Sequence, residues 1–306
     1  MQNYKKLGLI FEPRTDIWWC SHYAGPSFVE IYPNEGIRVY FSGTSNERVS
    51  KIGHFTIDQN LNPDTVKIND VPMFDIGRPG CFDENGVAYP WIVDINEDVK
   101  YLYYVGWIKG GRGGFFCAVG LAISEDKGKT YKRVSEAPIL ERINEEPIST
   151  GSVCVRKEGN IFKMWYTCFD RWELINEKYT HFYKIRYAES SDGIIWKRNL
   201  STAIDFYNSN ENVIAKPHVI FENEKYKMWY SYRSLNTTYR IGYAESKNGV
   251  EWDRMDSVIG IDVGEKGEWD SEMIEYAHIF DLNNKRYILY NGNAYGKTGI
   301  GVARLI

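Results

Sequence analysis

The chain has 306 residues, with 37 Lys or Arg against 41 Asp or Glu, for a net charge of −4. Hydrophobic residues at 43% and charged residues at 25% exclude disordered and collagen-like classes. A mildly acidic chain also offers no basic footprint to nucleic acid or to an anionic membrane. The aromatic share is 15%, with 23 Tyr and 10 Trp, which favours half-buried strands and surfaces that stack on flat rings or sugar faces.

In chain order, the first predicted element is a strand from Tyr4 to Phe11. Its apolar run, Leu7 to Phe11, is too short for a secretory leader, and no later run approaches the ~20 apolar residues of a bilayer span. A cytoplasmic protein without a membrane span is expected. From Arg38 onward a short aromatic strand recurs: RVYFSG (Arg38), YLYYVG (Tyr101), FKMWYTC (Phe162), YKMWYSY (Tyr226) and YILYNG (Tyr287). The steps are 63, 61, 64 and 61 residues. An apolar strand precedes each copy: SFVEIY, VAYPWIV, GSVCVRK, PHVIFEN and YAHIFDL. A third strand follows each: KIGHFTI, AVGLAIS, KIRYAES, RIGYAES and GIGVARLI.

After the third strand comes a tight turn, seen in SEDKGKTY, SSDGIIW and SKNGVEW. Its glycine supplies the positive φ such turns need. A fourth, outer strand then follows, as in YKRVSEAPIL. Four antiparallel strands repeated five times predict an all-β fold, a single five-bladed β-propeller over residues 1–306. The last repeat ends one strand short, and Tyr4 to Phe11 resembles a fourth strand. The N-terminal strand is therefore expected to close the ring beside Gly299 to Leu305, covering an exposed edge. Two β-sandwiches would have no reason to keep a period near 62 residues.

Residues at the entry of each inner strand are expected to line a central funnel. The first repeat offers His22, the second Asp83, and the third Glu146. The fourth offers Lys216 and His218, and the fifth Glu272 and Glu275. Carboxylates from several blades in an aromatic cleft suit glycosidic bond chemistry, in which one protonates the leaving oxygen and another activates water or attacks the sugar. Taken singly, an acid at a strand end is as well explained as a cap or turn former. Arg48 after the second strand of the first repeat and Arg233 at the end of YKMWYSYR could join Lys216 and His218 in clamping a phosphate. An ion pair with a nearby carboxylate is the plainer account of Arg233. Trp107 completes the expected substrate-binding set. The glycine-rich GRGG (Gly111 to Gly114) lies within a hairpin with no helix after it, so it is not a phosphate loop. The five cysteines lack C-x-x-C spacing and the five histidines lack ligand spacing. No disulfide, metal or other cofactor is predicted.

The five-blade repeat, FDENGVAYP, EPISTGSV, SYR with YRIGYAES, and WDSEM with YNGNAYGKTG resemble a bacterial family within the five-bladed propeller superfamily of glycoside hydrolase families 32, 43, 68 and 130. Members of that family are often found beside surface-polysaccharide biosynthesis genes. The resemblance spans essentially the whole chain. It implies a carbohydrate-active enzyme, with Asp83 orienting Glu146, Glu146 as the acid and Glu272 as the base of an inverting pair. The chain departs from furanosidase-type members at the entry of the first blade, where His22 and Gly25-Pro26-Ser27 stand in place of an acid and Asp16 lies too far upstream. The departure gives weight to a phosphorylase or a sugar-nucleotide-dependent transferase, and also to a non-catalytic sugar-binding propeller. The expected ligand is a carbohydrate, a sugar phosphate or a sugar nucleotide.

Overall fold

A computed structural model of the chain describes residues 2–32 and 36–306. The strand pattern read from the sequence folds as antiparallel meanders. β1 (Gln2–Phe11) comes first. The first meander is β2 (Tyr23–Tyr32), β3 (Gly36–Thr44), β4 (Ser50–Ile57) and the short β5 (Lys67–Ile68). The second is β6 (Gly86–Asp94), β7 (Lys100–Lys109), β8 (Phe115–Ser124) and β9 (Lys132–Arg133). The third is β10 (Thr150–Glu158), β11 (Ile161–Ile175), β12 (Lys178–Ser190) and β13 (Lys197–Ile204). The fourth is β14 (Glu211–Glu222), β15 (Lys225–Ser234), β16 (Thr237–Ser246) and β17 (Asp253–Arg254). After β18 (Ile259–Gly260), the last meander is β19 (Glu275–Leu282), β20 (Lys285–Asn291) and β21 (Ile300–Leu305).

Hydrogen bonding links these strands into three sheets. A parallel contact, Ser50 to Gly86, joins the first two meanders, and Tyr183 to Val213 joins the third and fourth. The fifth takes its outer strand from the other end of the chain: β1 pairs antiparallel with β21, from Tyr4 opposite Leu305 to Phe11 opposite Ile300. The expected closure by the N-terminal strand is therefore present as a strand pairing.

The local chemistry of the turns is as the sequence predicts. Ser124, Ser190 and Ser246 accept from the backbone N–H of Gly128, Gly193 and Gly249 at 2.8, 2.9 and 2.8 Å. These turns also knit neighbours together. Tyr103 Oη donates to the Gly193 carbonyl at 2.8 Å, and Trp165 Nε1 donates to that of Gly249 at 2.6 Å.

The five first strands contact one another in a cycle: β2 with β6, β6 with β10, β10 with β14, β14 with β19, and β19 with β2. One register position carries the cycle. Phe28, Trp91, Cys154, His218 and His278 lie opposite equivalent residues of the aromatic strands. Trp91 Nε1 donates to the Val155 carbonyl at 2.8 Å, and Cys154 Sγ accepts from Val219 N–H at 3.2 Å. His218 Nδ1 accepts from Ile279 N–H at 3.4 Å, and His278 Nε2 from Val29 N–H at 3.2 Å. Phe28 completes the cycle without a polar bond, its ring 5.3 Å from that of Trp91. Burial depresses the basicity of both imidazoles well below the ordinary histidine range, so the plug is neutral.

Candidate functional site

Two sets of carboxyl groups must be told apart. The first set stands just ahead of the first strands. Asp83 is wholly buried; its Oδ2 accepts from Tyr104 Oη at 3.1 Å and from Arg133 Nε at 2.8 Å. Glu146 is equally buried, accepting from Tyr166 Oη at 2.7 Å and from Arg186 at 3.1 Å, and pairing with Arg198. Asp270 accepts from Tyr290 Oη at 2.9 Å and pairs with Lys6 of β1 at 2.7 Å. Each clip joins the entry loop, the second strand and the fourth strand of one meander. In the fourth meander, Asp256 takes the bond from Tyr230 while Arg254 joins Asp256 and Glu211.

The second oxygen of the clip presses on a glycine. A Cβ on Gly77 would lie 2.0 Å from Asp83 Oδ1, and one on Gly264 would lie 2.3 Å from Asp270 Oδ1. In the first meander the same positions are Cys20, Phe41 and Ile68, an apolar version of the clip packed on Trp19, whose ring lies 5.1 Å from that of Phe41. That substitution accounts for the acid missing at the first entry.

The clips change the reading of the expected catalytic trio. Asp83 and Glu146 are ion-paired within their own meanders, and Glu272 is exposed in the loop before β19. Among the described residues no hydrogen bond or ion pair joins any two of the three. His218 belongs to the packed plug, because its ring is buried and its Nδ1 accepts a backbone N–H.

Above the plug every first strand breaks register with a bulge. Three residues before each plug residue, within or at the start of the bulge, stand Gly25, Ala88, Gly151, Ala215 and Glu275. Four of these are small, and Ala88, Gly151 and Ala215 line a cavity of about 430 Å³. Glu275 occupies the equivalent place in the fifth meander. It is wholly buried, and neither carboxyl oxygen has a hydrogen-bond partner among the described residues. Burial pushes its pKa well above the usual carboxylate range, and Tyr276 and Arg233 oppose this only in part. Burial therefore favours its protonated form.

The next bulge residues, Tyr89, Lys216 and Tyr276, hold φ of 56°, 52° and 60°. Left-handed backbone in such bulky residues costs roughly 1–3 kcal/mol apiece and collects at functional sites. Side-chain caps fix these turns: Tyr89 N–H donates to Ser42 Oγ at 2.8 Å, Lys216 N–H to Ser152 Oγ at 3.0 Å, and Tyr276 N–H to Ser231 Oγ at 2.8 Å. Lys216 is buried, its Nζ unpartnered and 5.5 Å from the Trp91 ring. Burial lowers its pKa to about 8.

The cavity is walled by Tyr89, Val105, Trp107, Phe115, Phe169 and Tyr183, with Arg48 at its exposed edge. Trp107 is held by donating Nε1–H to Ser50 Oγ at 2.8 Å. Arg233 donates to His181 Nε2 at 2.8 Å and to Tyr295 Oη at 3.2 Å, and no carboxylate pairs with it among the described residues. His22 lies apart, edge-on to Tyr23 with ring centroids 4.4 Å apart. The sequence reading missed Tyr89, Tyr183, Tyr239 and His181. Glu275 was named, and its place among Gly25, Ala88, Gly151 and Ala215 at the repeat position was the available signal for the layer around it.

No family model matches the chain. Among solved structures it is similar to a "glycosyl hydrolase from Bacteroides ovatus", at 14% identity and TM-score 0.74, over 99% of this chain and 93% of that one. It is also similar to a "thermostable family-43 glycoside hydrolase" at 17% and TM-score 0.69, covering 92% and 88%. A third structure, reported as a member of "the GH130 family of mannoside phosphorylases" that "contains glycoside hydrolases", matches at 14% and TM-score 0.73, covering 99% and 93%. The all-β fold is thus that of the propeller glycosidases. At 34% identity over 305 residues, 99% of both chains, the chain belongs to the family of "Uncharacterized protein Rv1502" of Mycobacterium tuberculosis (strain ATCC 25618 / H37Rv).

Proposed function

We propose that the chain is a carbohydrate-active enzyme that works on a glycosidic bond in the cavity above the plug, with Glu275 as proton donor. Glu275 carries the reading: a buried carboxyl without a hydrogen-bond partner among the described residues, felt by Tyr89 and Tyr183 of the cavity wall, in a layer otherwise made of small residues. Four buried tyrosines, Tyr89, Tyr183, Tyr239 and Tyr276, surround it electrostatically. Aromatic walls suit the apolar faces of a sugar ring.

The reading includes a five-bladed, single-domain propeller over residues 1–306. The cyclic contact of the five first strands and the pairing of β1 with β21 support it. In the proposed step the bond from the anomeric carbon to the leaving oxygen breaks. Glu275 gives that oxygen its proton, and an incoming oxygen nucleophile forms the new bond to the anomeric carbon. Inverting hydrolysis needs a second carboxylate to activate water. Glu272, expected as that base, is exposed in the loop before β19, and Asp83 and Glu146 are bound up in clips.

Phosphorolysis needs only one protein carboxyl, because inorganic phosphate is already an anion and attacks without a base; in transfer from a sugar phosphate or sugar nucleotide the same carboxyl, ionised, takes the proton of the acceptor hydroxyl as the phosphate leaves. Lys216, buried without a carboxylate partner among the described residues beside Ala215 of the cavity, favours this form over simple hydrolysis. A place in surface-polysaccharide metabolism fits the resemblance of the motifs. Turnover of aryl glycosides and glycosyl phosphates, with and without inorganic phosphate, tests the reading. Phosphate-dependent release that Glu275→Gln abolishes is the expected result; release that survives Glu275→Gln overturns it.

A further inference from the structure

A second recess adjoins the cavity. A groove of about 660 Å³ runs between the β11–β12 hairpin, the β15–β16 turn and Tyr295. Tyr183 lines the cavity and Tyr239 lines the groove, and their hydroxyls stand 3.0 Å apart. That hydrogen bond ties a wall residue of one space to a wall residue of the other.

Three observations on the groove wall point to a ligand. Arg233 is a half-buried guanidinium whose partners are all neutral: it bonds to His181 and Tyr295 and lies 5.1 Å from the Tyr239 ring. Burial and the Arg233 charge lower the His181 pKa to about 4, so the imidazole accepts from the cation without neutralising it. No Asp or Glu lines the groove among the described residues. Asn212, 2% exposed, donates its amide to the His181 carbonyl at 3.1 Å, while its Oδ1 meets no donor. Tyr295 and Ala294 hold φ of 63° and 55°, a strained backbone that sets the Tyr295 hydroxyl on Arg233.

A cation without a counter-ion beside a buried acceptor without a donor calls for a ligand with a negative charge and a hydroxyl. We propose that the groove is a second binding site, taking the anionic end of a sugar derivative, a sugar phosphate or a sugar acid. Arg233 takes the charge and Asn212 Oδ1 accepts from a hydroxyl. The inference rests on the carbohydrate reading only for the sugar part of the ligand.

Calorimetric titration of the full chain with glucose 1-phosphate, glucuronate, inorganic phosphate and glucose tests it. An anionic sugar is expected to bind, and glucose to bind at least about tenfold more weakly. Arg233→Gln should cost about tenfold or more in affinity, Arg233→Lys less, and Asn212→Leu should weaken the sugars but not inorganic phosphate. Unfolding midpoints of the three variants establish that each is folded before it is titrated. The tighter of glucose 1-phosphate and glucuronate identifies the anion. Glu275→Gln should bind the anionic sugar as the wild type does, which separates this site from the proposed chemistry. Equal affinity in Arg233→Gln and wild type, or no binding by either anionic sugar, overturns the proposal whatever the turnover.

Discussion

Asp83 and Glu146 on one side and Glu275 on the other are carboxyl groups of equal burial and opposite circumstances. The first two meet an arginine and a tyrosine of their own meander. Among the described residues Glu275 meets no hydrogen-bond partner at either oxygen. Burying an ion is tolerable when a charge and hydrogen bonds replace water; without them the group stays protonated. Burial alone therefore does not separate a structural carboxyl from the proton donor proposed here; hydrogen-bond partners and recurrence do. The clip repeats with the meander, as a structural device must, whereas Glu275 interrupts a row of Gly and Ala.

The comparison breaks most sharply in turnover. Glu275→Gln keeps the shape and removes the transferable proton, so turnover should fall by about 10²–10⁴. The same variant should fold at least as stably as the wild type, since it relieves a buried acid of its tendency to ionise. Rate assays beside denaturant melts check both halves. A destabilised but active variant would turn Glu275 into another clip.

Glu146→Ala should do the reverse. It strands Arg186 and Arg198 around a vacated site, and breaking a buried pair from one side costs roughly 3–5 kcal/mol. Chemical denaturation gives the figure. A loss below about 1 kcal/mol would mean the clip is not what holds the entry loop to the third meander.

A pH series sharpens the contrast further. The Glu275 pKa is raised in the folded state, so the native protein keeps a proton that the unfolded chain releases near the ordinary glutamate value of about 4.3. Its contribution to stability is present below that pH and is lost as pH rises toward the folded value. His54 and His181 act in the opposite sense: burial lowers both pKa values from 6.5 to about 4. Stability should fall as pH drops from 6.5 toward 4, by up to about 1.4 kcal/mol per pH unit for each histidine. Subtracting Glu275→Gln from wild type across the series isolates the glutamate. A flat difference would deny its raised pKa.

The smallest effect is expected at the join between the two chain ends. Lys6→Met leaves Asp270 with Tyr290 as its remaining partner, and Lys6 is partly exposed, so a loss of about 1–3 kcal/mol should appear in the same melts. No loss would mean that β1 is held by its backbone ladder alone.

Much of the fold was legible from periodicity: the aromatic strands, the Ser-x-x-Gly turns and the strand missing from the last repeat all lie in local sequence. The carboxylates at the strand entries were legible too, but not their partners. The acid, the tyrosine 20 or 21 residues later and the basic residue on the fourth strand recur together at Asp83, Glu146 and Asp270. So do Asp75-Ile76-Gly77 ahead of Asp83 and Asp262-Val263-Gly264 ahead of Asp270.

By itself the sequence determined the strands, the turns and the meander repeat, because these depend on alternation, turn chemistry and spacing within some sixty residues. Only the tertiary structure decided which buried charges have partners. That depends on Arg133 reaching Asp83 across 50 residues, on Lys6 reaching Asp270 from the opposite end of the chain, and on no cation among the described residues forming an ion pair with Glu275. Whether a carboxyl is ionised or neutral follows from its neighbours in space, and one-dimensional order does not fix those neighbours.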